Sequence, residues 1–361
     1  MADAALDSLV DQVRAARADK TPLAISGGGT KAFYGGPVQG RPLDVRPLAG
    51  ISSYEPSELV VTVRAGTPLA TLEAALEEQG QCLPFEPPRF AAGGTVGGMV
   101  AAGLSGPARP AVGGVRDYVL GATLLNGRAE LLSFGGQVMK NVAGYDVSRL
   151  LAGSLGVLGV LCEVSLKVLP KPVATATLRF ELDQAAAIRQ LNTWGGQPLP
   201  VSASAWWDGM LVLRLAGAAA AVQSARRRLG GEPVDDALAA AFWQGLRDQS
   251  DEFFVAARQA VAGGATLWRL AVPQTAAPLA LPGEHLVEWG GGQRWVVTSA
   301  SPATLRETAA RAGGHATAFR GGAPGDALAP LSAPLQRIHQ GLKEAFDPER
   351  LFNPGRLYPG L

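Results

Sequence analysis

Ser26-Gly27-Gly28-Gly29-Thr30-Lys31 directly follows the short apolar run 23–25, and these residue types could grip an anion. Three consecutive glycines leave the main chain bare, so several N–H groups can converge on one negative charge without side chains in the way. The hexapeptide reads as a phosphate cradle, with a plain tight turn between strands as the alternative. It is not a mononucleotide P-loop, because no stretch has two glycines bracketing four residues before Lys-Ser/Thr. The dinucleotide fingerprint also fails: counting from Gly27 puts Ala32 in the last glycine position, but Gly35-Gly36-Pro37 then stops any helix from following.

A second passage repeats that logic. Between 91 and 107 the chain reads AAGGTVGGMVAAGLSGP, and nine glycines fall between Gly93 and Gly121, which marks backbone that turns tightly or lies close to something. One ligand held between the two glycine turns is the expectation. Oxidation of a hydroxy acid would further need a base and a cation for a carboxylate. The cations in these stretches are Arg109, Arg116, Lys140 and Arg356, each of which reads first as a phosphate contact or a solvent-facing ion pair. Tyr145-Asp146 is the nearest base candidate, although Asp146 reads first as a helix cap. His339 reads as a surface or core residue, and no catalytic residue is named.

These groups need elements to hold them. The first twenty residues form an amphipathic helix, not a signal peptide. Strands are expected at 42–46 and 58–64, then Thr67 as N-cap and Pro68 as first residue of a helix that ends at Gly80. Asn126-Gly127 between apolar runs 119–125 and 129–134 signals a hairpin. A strand follows at 160–168. The second half alternates strands near 175–181, 201–206, 210–215, 265–272, 285–289, 293–298 and 315–319 with helices near 183–193, 218–229, 236–247 and 302–311. The order suggests a diverged βαββα duplication in an antiparallel sheet. All seven tryptophans lie after residue 172 and four of five tyrosines before it, which puts a boundary at Lys171-Pro172.

At 361 residues there is room for two domains. A net charge of +1 gives no electrostatic reason to expect nucleic acid or anionic lipid as a partner. Two cysteines, Cys82 and Cys162, are too few for a disulfide framework or iron–sulfur ligation and fit a reducing compartment. The least charged stretch, 90–108, is too glycine-rich and weakly apolar to span a membrane, so a soluble chain is expected.

Five blocks in order are specific together: SGGGTK, LVVTVRAGT, GGTVGGMVAAGLSGP with GGVRDYVLGATLL, KNVAGYDVSRLLAGSLGVLGV, and FDPERLFNPGRL. They resemble flavoproteins of the vanillyl-alcohol oxidase and p-cresol methylhydroxylase type, and within them the FAD-binding E subunits of bacterial glycolate oxidases. The resemblance implies an α+β fold: a two-subdomain FAD-binding domain at 1–172, an antiparallel α+β cap at 173–330, and a C-terminal helix and tail at 331–361 returning to the flavin domain. It implies non-covalent FAD, since the first half has no histidine for attachment. The diphosphate would lie on Ser26, Gly27, Gly28, Gly29, Thr30 and Lys31, with Gly93, Thr95, Gly97 and Gly98 lining diphosphate and ribityl chain. Ser105, Gly106 and Arg109 would lead toward the flavin, Gly153, Gly156 and Val160 would pass the adenine, and Asn353 and Arg356 would return near the ring.

The resemblance further implies oxidation of glycolate to glyoxylate, with a larger flavin subunit and an iron–sulfur subunit as partners. It places the complex in the cytoplasm or at the periphery of the inner membrane. Alternatives are a self-sufficient FAD-linked 2-hydroxy acid dehydrogenase holding a carboxylate on Arg109 or Arg356, and a structural subunit that does not use its flavin. One departure stands out. The His-x-Gly-Asp-Gly-Asn-x-His metal motif of superfamily members that oxidise D-2-hydroxy acids is missing, since His285, His315 and His339 lack paired ligand spacing, so no bound metal is expected.

Overall fold

A computed structural model describes residues 3–136, 146–323, 325 and 327–361. Lys140 and Tyr145, with the rest of the KNVAGY stretch, lie outside the described residues. The first helix, Ala4–Asp19, is capped by Asp3, whose side chain accepts from Leu6 N–H, and it buries Leu9, Val13 and Ala16 at helical spacing. That stripe packs on β1 (Leu23–Ser26) and β2 (Arg41–Asp44), a parallel pair, in a core that also holds Val160, Cys162 and Phe352.

The main sheet of this half uses β3 (Ile51–Glu55), β4 (Val60–Arg64), β6 (Val119–Leu125), β7 (Leu131–Gly135) and β8 (Val160–Lys167), all antiparallel, in the order β3-β4-β8-β6-β7. A short pair, β5 (Gln81–Cys82) with β9 (Leu169–Pro170), ties the end of the following helix to the interdomain linker. Helices Leu69–Glu78 and Val96–Ala102 cover the sheet, and their Leu72, Leu76, Met99 and Val100 meet Val61, Val63, Val164 and Leu166. The Asn126-Gly127 turn joins β6 to β7, with the Asn126 side chain accepting from Arg128 N–H and Glu130 N–H at 2.9 Å each.

One helix start differs from expectation. The helix begins at Leu69 with Pro68 at the cap, because the Thr67 hydroxyl is spent on Gly50, accepting from its N–H at 2.9 Å and donating to its carbonyl at 3.1 Å. A neighbouring chain segment outcompeted the local cap.

The second half builds one eight-stranded sheet from β10 (Ala174–Glu181), β11 (Val201–Trp207), β12 (Met210–Gly217), β13 (Glu232–Pro233), β14 (Thr266–Ala271), β15 (Glu284–Glu288), β16 (Gln293–Thr298) and β17 (His315–Arg320). The order β13-β10-β12-β11-β15-β16-β14-β17 reads as two mirrored sets, with β10 matching β14, β12 matching β16, β11 matching β15 and β13 matching β17. Helices Ala219–Leu229 and Pro302–Arg311 precede the two matching edge strands. The crossover helix of the first set, Gln184–Gly195, has a loop at 272–283 as its counterpart. The duplicated order is therefore present, with a helix lost from the second copy.

The C-terminal helix Ala333–Phe346 leads the chain back to the first half. Its Lys343 is 1% exposed, with Nζ donating to Val157 O at 2.7 Å, Phe352 O at 3.0 Å and Asp347 Oδ2 at 2.8 Å. Asp347 in turn accepts from Leu351 and Phe352 N–H at 3.0 and 2.8 Å. A buried ion pair with its remaining valences met in this way is tolerated, and it folds the tail onto β1, where Leu23 N–H donates to Leu351 O. No described helix is long and apolar enough to cross a membrane.

Candidate functional site

The two glycine turns meet. A Cβ on Gly28 would fall onto the Gly93 carbonyl and one on Gly27 onto the Thr95 hydroxyl, so these backbones touch only because both side chains are hydrogen. Gly29 (φ +69°) and Gly93 (φ +85°) instead have open space where a Cβ would go. Among the described residues, the N–H groups of Gly28, Gly29 and Thr30 donate to nothing. They form a run of free donors just past the end of β1.

The second turn offers proximity more than donors. Gly97 N–H is spent on Ala65 O at 2.7 Å and Gly98 N–H on the Thr95 hydroxyl at 3.1 Å, where Thr95 caps Val96–Ala102. A Cβ on Gly97 would sit 2.7 Å from the Ala65 Cβ, so this glycine lets the helix approach β4.

Lys31 closes the junction. Its Nζ lies 3.4 Å from the Thr30 hydroxyl and 5.6 Å from the centre of the Phe90 ring. Burial pushes its pKa down to about 8, against the pull of Asp248 and Glu73. Two cap cations face the same place. Arg269 on β14 donates to the Tyr34 hydroxyl at 3.1 Å, and Arg320 at the end of β17 lies 3.4 Å over the Phe33 ring. Burial and Arg258 push Arg320 down to about 10, and its Nε is buried without a hydrogen-bond partner. Among the described residues, none of these three cations has a carboxylate at ion-pairing distance. Phe33, Phe90, Tyr34 and Phe319 interleave them, with ring centres 5.3 to 6.2 Å apart.

The other expected residues divide by the job the structure gives them. Ser105 Oγ accepts from Val115 N–H at 3.3 Å, Gly106 N–H donates to Phe85 O, and Gly106 O accepts from Trp289 Nε1 of the cap at 3.1 Å. Arg109 stacks on that Trp289, 4.7 Å from the ring, and burial lowers its pKa. Gly153 is open at its Cβ position and donates to Val100 O, whereas Gly156 packs on the Asn353 amide. Val160 is wholly buried in β8. Asn353 is a clasp: its Oδ1 accepts from Ile25 N–H at 2.8 Å and its Nδ2 donates to Leu155 O at 2.7 Å.

Arg356 is a second clasp, with its guanidinium on the carbonyls of Lys31 (3.1 Å), Ala32 (3.0 Å) and Gly36. It holds the loop after the glycine turn, with both terminal guanidinium nitrogens taken up by carbonyls. Asp146 caps Val147–Leu150, accepting from Arg149 N–H and the Ser148 hydroxyl. His339 lies on an exposed helix face with Nδ1 on Leu335 O. Among the described residues, no group of three His, Cys, Asp or Glu could hold a metal.

Sequence reading missed the cap residues Arg269, Arg320, Trp289 and Glu288. Glu288 is 3% exposed, and its Oε2 accepts from Trp295 Nε1 at 2.6 Å and Gln293 Nε2 at 2.9 Å. Burial pushes its pKa up to about 7. They end or interrupt ordinary strand patterns, so no local signal marks them. A cleft of about 750 Å³ runs along the interdomain linker, but it excludes the glycine turns, and its Arg214, Arg89 and Lys171 are paired with Glu86, Glu73 and Glu77.

Free donors between two touching backbone turns, facing an antiparallel sheet, make a site that suits a nucleotide diphosphate. The FAD binding domain family matches residues 4–135. A structure of alkyldihydroxyacetonephosphate synthase superposes with a TM-score of 0.65 at 13% identity, covering 96% of this chain and 75% of that one, which speaks for the fold alone. A D-lactate dehydrogenase of Anaerostipes hadrus is 33% identical over 170 residues, 46% of this chain and 35% of that protein. The glycolate oxidase subunit GlcE of Escherichia coli (strain K12) is 51% identical over 354 residues, 98% of this chain and 97% of that protein. The chain belongs to the GlcE family of FAD-binding glycolate oxidase subunits. Its residues fit the cofactor: open Cβ positions at Gly29 and Gly93, free amides, and a Lys31 ammonium with no carboxylate at ion-pairing distance among the described residues match a diphosphate.

Proposed function

We propose that this chain is the FAD-binding subunit of a glycolate oxidase complex, in which glycolate is oxidised to glyoxylate and the electrons leave through flavin to an iron–sulfur partner. FAD would supply two-electron acceptor chemistry. The observation that carries the reading is the set of unused N–H groups at Gly28, Gly29 and Thr30 beside the Lys31 ammonium. These groups would bind the diphosphate, with Ser26, Gly27, Gly93 and Thr95 shaping the turns around it. Ser105, Gly106 and Arg109 would lie toward the ring, Gly153, Gly156 and Val160 toward the adenine. Gly97, Gly98, Asn353 and Arg356 would act from behind, by fixing the backbone. The cofactor would be held non-covalently, in a cytoplasmic complex that includes a larger flavin subunit.

Of the two arginines expected to hold a carboxylate, the rival reading of a self-sufficient 2-hydroxy acid dehydrogenase retains Arg109, since Arg356 is engaged by three carbonyls. The test is to purify the chain alone. A yellow protein that releases free FAD on denaturation, is not bleached by glycolate, and is reduced only with its partner subunits present fits the proposal. Bleaching by glycolate in the single chain favours the rival, and a colourless protein overturns both.

A further inference from the structure

At the glycine turns of the first half the titrating group is Lys31, with its pKa at about 8, and the cap adds a carboxyl beside residues 105–107. Glu288 lines a cavity of about 20 Å³ together with Ser105, Gly106 and Pro107 of the glycine-rich passage and Phe90, Gln249, Arg269, Trp295 and others of the surrounding wall. That volume suits a single water and is too small for a hydroxy acid. Gln249 Oε1 is buried there without a hydrogen-bond partner, so it calls for a donor. The next residue, Trp289, is bonded to Gly106 O at 3.1 Å, which fixes the carboxyl against the passage.

We propose that Glu288, with a water shared with Gln249, is an internal proton site that binds one proton when a flavin held beside Ser105 and Gly106 is reduced. The inference rests on the FAD reading above. Its physics is simple: both donors to Glu288 Oε2 are neutral N–H groups, and among the described residues no cation pairs with it. Negative charge arriving in the same low-dielectric wall raises the proton affinity of such a carboxylate. The charged groups around it are Arg247 on helix Asp236–Asp248, Asp251 before the next helix, Glu86 on the facing loop and Arg269 on β14. Asp251 and Glu86 raise its proton affinity further, and burial already holds its pKa at about 7. The step balances: an external reductant such as dithionite is oxidised and would give two electrons to the bound flavin, any proton the flavin itself takes would come from solvent, and the separate proton bound at Glu288 also comes from solvent, one hydronium O–H bond breaking as the Glu288 O–H forms.

Two measurements test this. In the apoprotein, the infrared C=O stretch of a buried carboxylic acid, shifted by ¹³C-Glu labelling, should appear as pH falls through about 7 and be absent in Glu288→Gln. In the flavin-loaded protein, the pH dependence of the midpoint potential should break near the same pH in the wild type and lose that break in Glu288→Gln. A Gln carbonyl can still accept from Trp295, so the variant is built to fold; should it not, Glu288→Asp takes its place, and it should shift both the carboxyl band and the break. No titrating carboxyl band, or an unchanged break in the variant, overturns the proposal while leaving a yellow, FAD-binding protein. Failure to bind FAD at all overturns the earlier reading instead.

Discussion

The two walls of the site are made of different material. On the first half it is main chain: free amides at Gly28, Gly29 and Thr30, with glycines spaced so that two turns touch. On the cap it is side chain: half-buried Arg269 and Arg320 against aromatic rings, half-buried Trp289 on Gly106, and buried Glu288 on Trp295 and Gln293. A backbone wall has fixed donors and almost no titration. A side-chain wall can change charge, because burial moves its proton affinities toward neutrality. The backbone wall suits gripping a permanently charged diphosphate, and the cap wall suits responding to charge that comes and goes.

The sharpest way to break this contrast is within one turn. Gly28→Ala drives a methyl into the Gly93 backbone and should destabilise the protein by roughly 3 kcal/mol or more and abolish FAD retention, read by denaturant unfolding and flavin absorbance. Gly29→Ala meets no atom, so it should cost only about 1–2 kcal/mol for its left-handed backbone yet still lose FAD. Equal behaviour of the two variants would show that the turn serves packing alone.

The cap wall should make stability depend on pH. Glu288 has a folded pKa of about 7, raised from 4.5 by burial, so the folded state holds its proton more tightly than the unfolded one. Its contribution is full below pH 4.5 and is lost as pH rises toward about 7, some 3 kcal/mol in all, and Glu288→Gln should flatten that part of the unfolding free-energy profile. Arg356→Gln should cost about 2–3 kcal/mol by leaving loop carbonyls unpaired, with FAD affinity falling because the turn is held less firmly. The smallest effect belongs to Lys31. Its pKa of about 8 in the free protein should rise when a diphosphate binds, so FAD affinity should be flat below that pH and fall by up to about tenfold per unit above it. Lys31→Met should remove the slope, as equilibrium dialysis across pH would reveal.

Much of the fold was legible. The Leu9, Val13 and Ala16 stripe, the Asn126-Gly127 hairpin and the strand at Val160–Lys167 carry their patterns locally. The cap duplication was visible in element order, whereas the pseudo-twofold sheet that joins β11 to β15 was not, since strand pairing is a long-range choice. At the site, the tail motif was visible but its mode of action was not. Asn353 and Arg356 lie in a motif that matches cofactor binders, and three-dimensional packing turns their side chains onto the backbone of β1 and of the loop at 31–36. The Thr67 hydroxyl met the same fate at Gly50.

The amino-acid order alone determined where main chain lies bare, because glycine is a local property and two glycine-rich runs announce it wherever they fold. Only the tertiary structure decided which of those glycines packs on its neighbour and which is left with open space. It also decided that a glutamate far along the chain, ordinary in its strand, would lose its water to Trp295, Gln293 and the 105–107 turn and so hold a proton near neutrality. Desolvation is supplied by residues distant in sequence, and no local pattern can encode it.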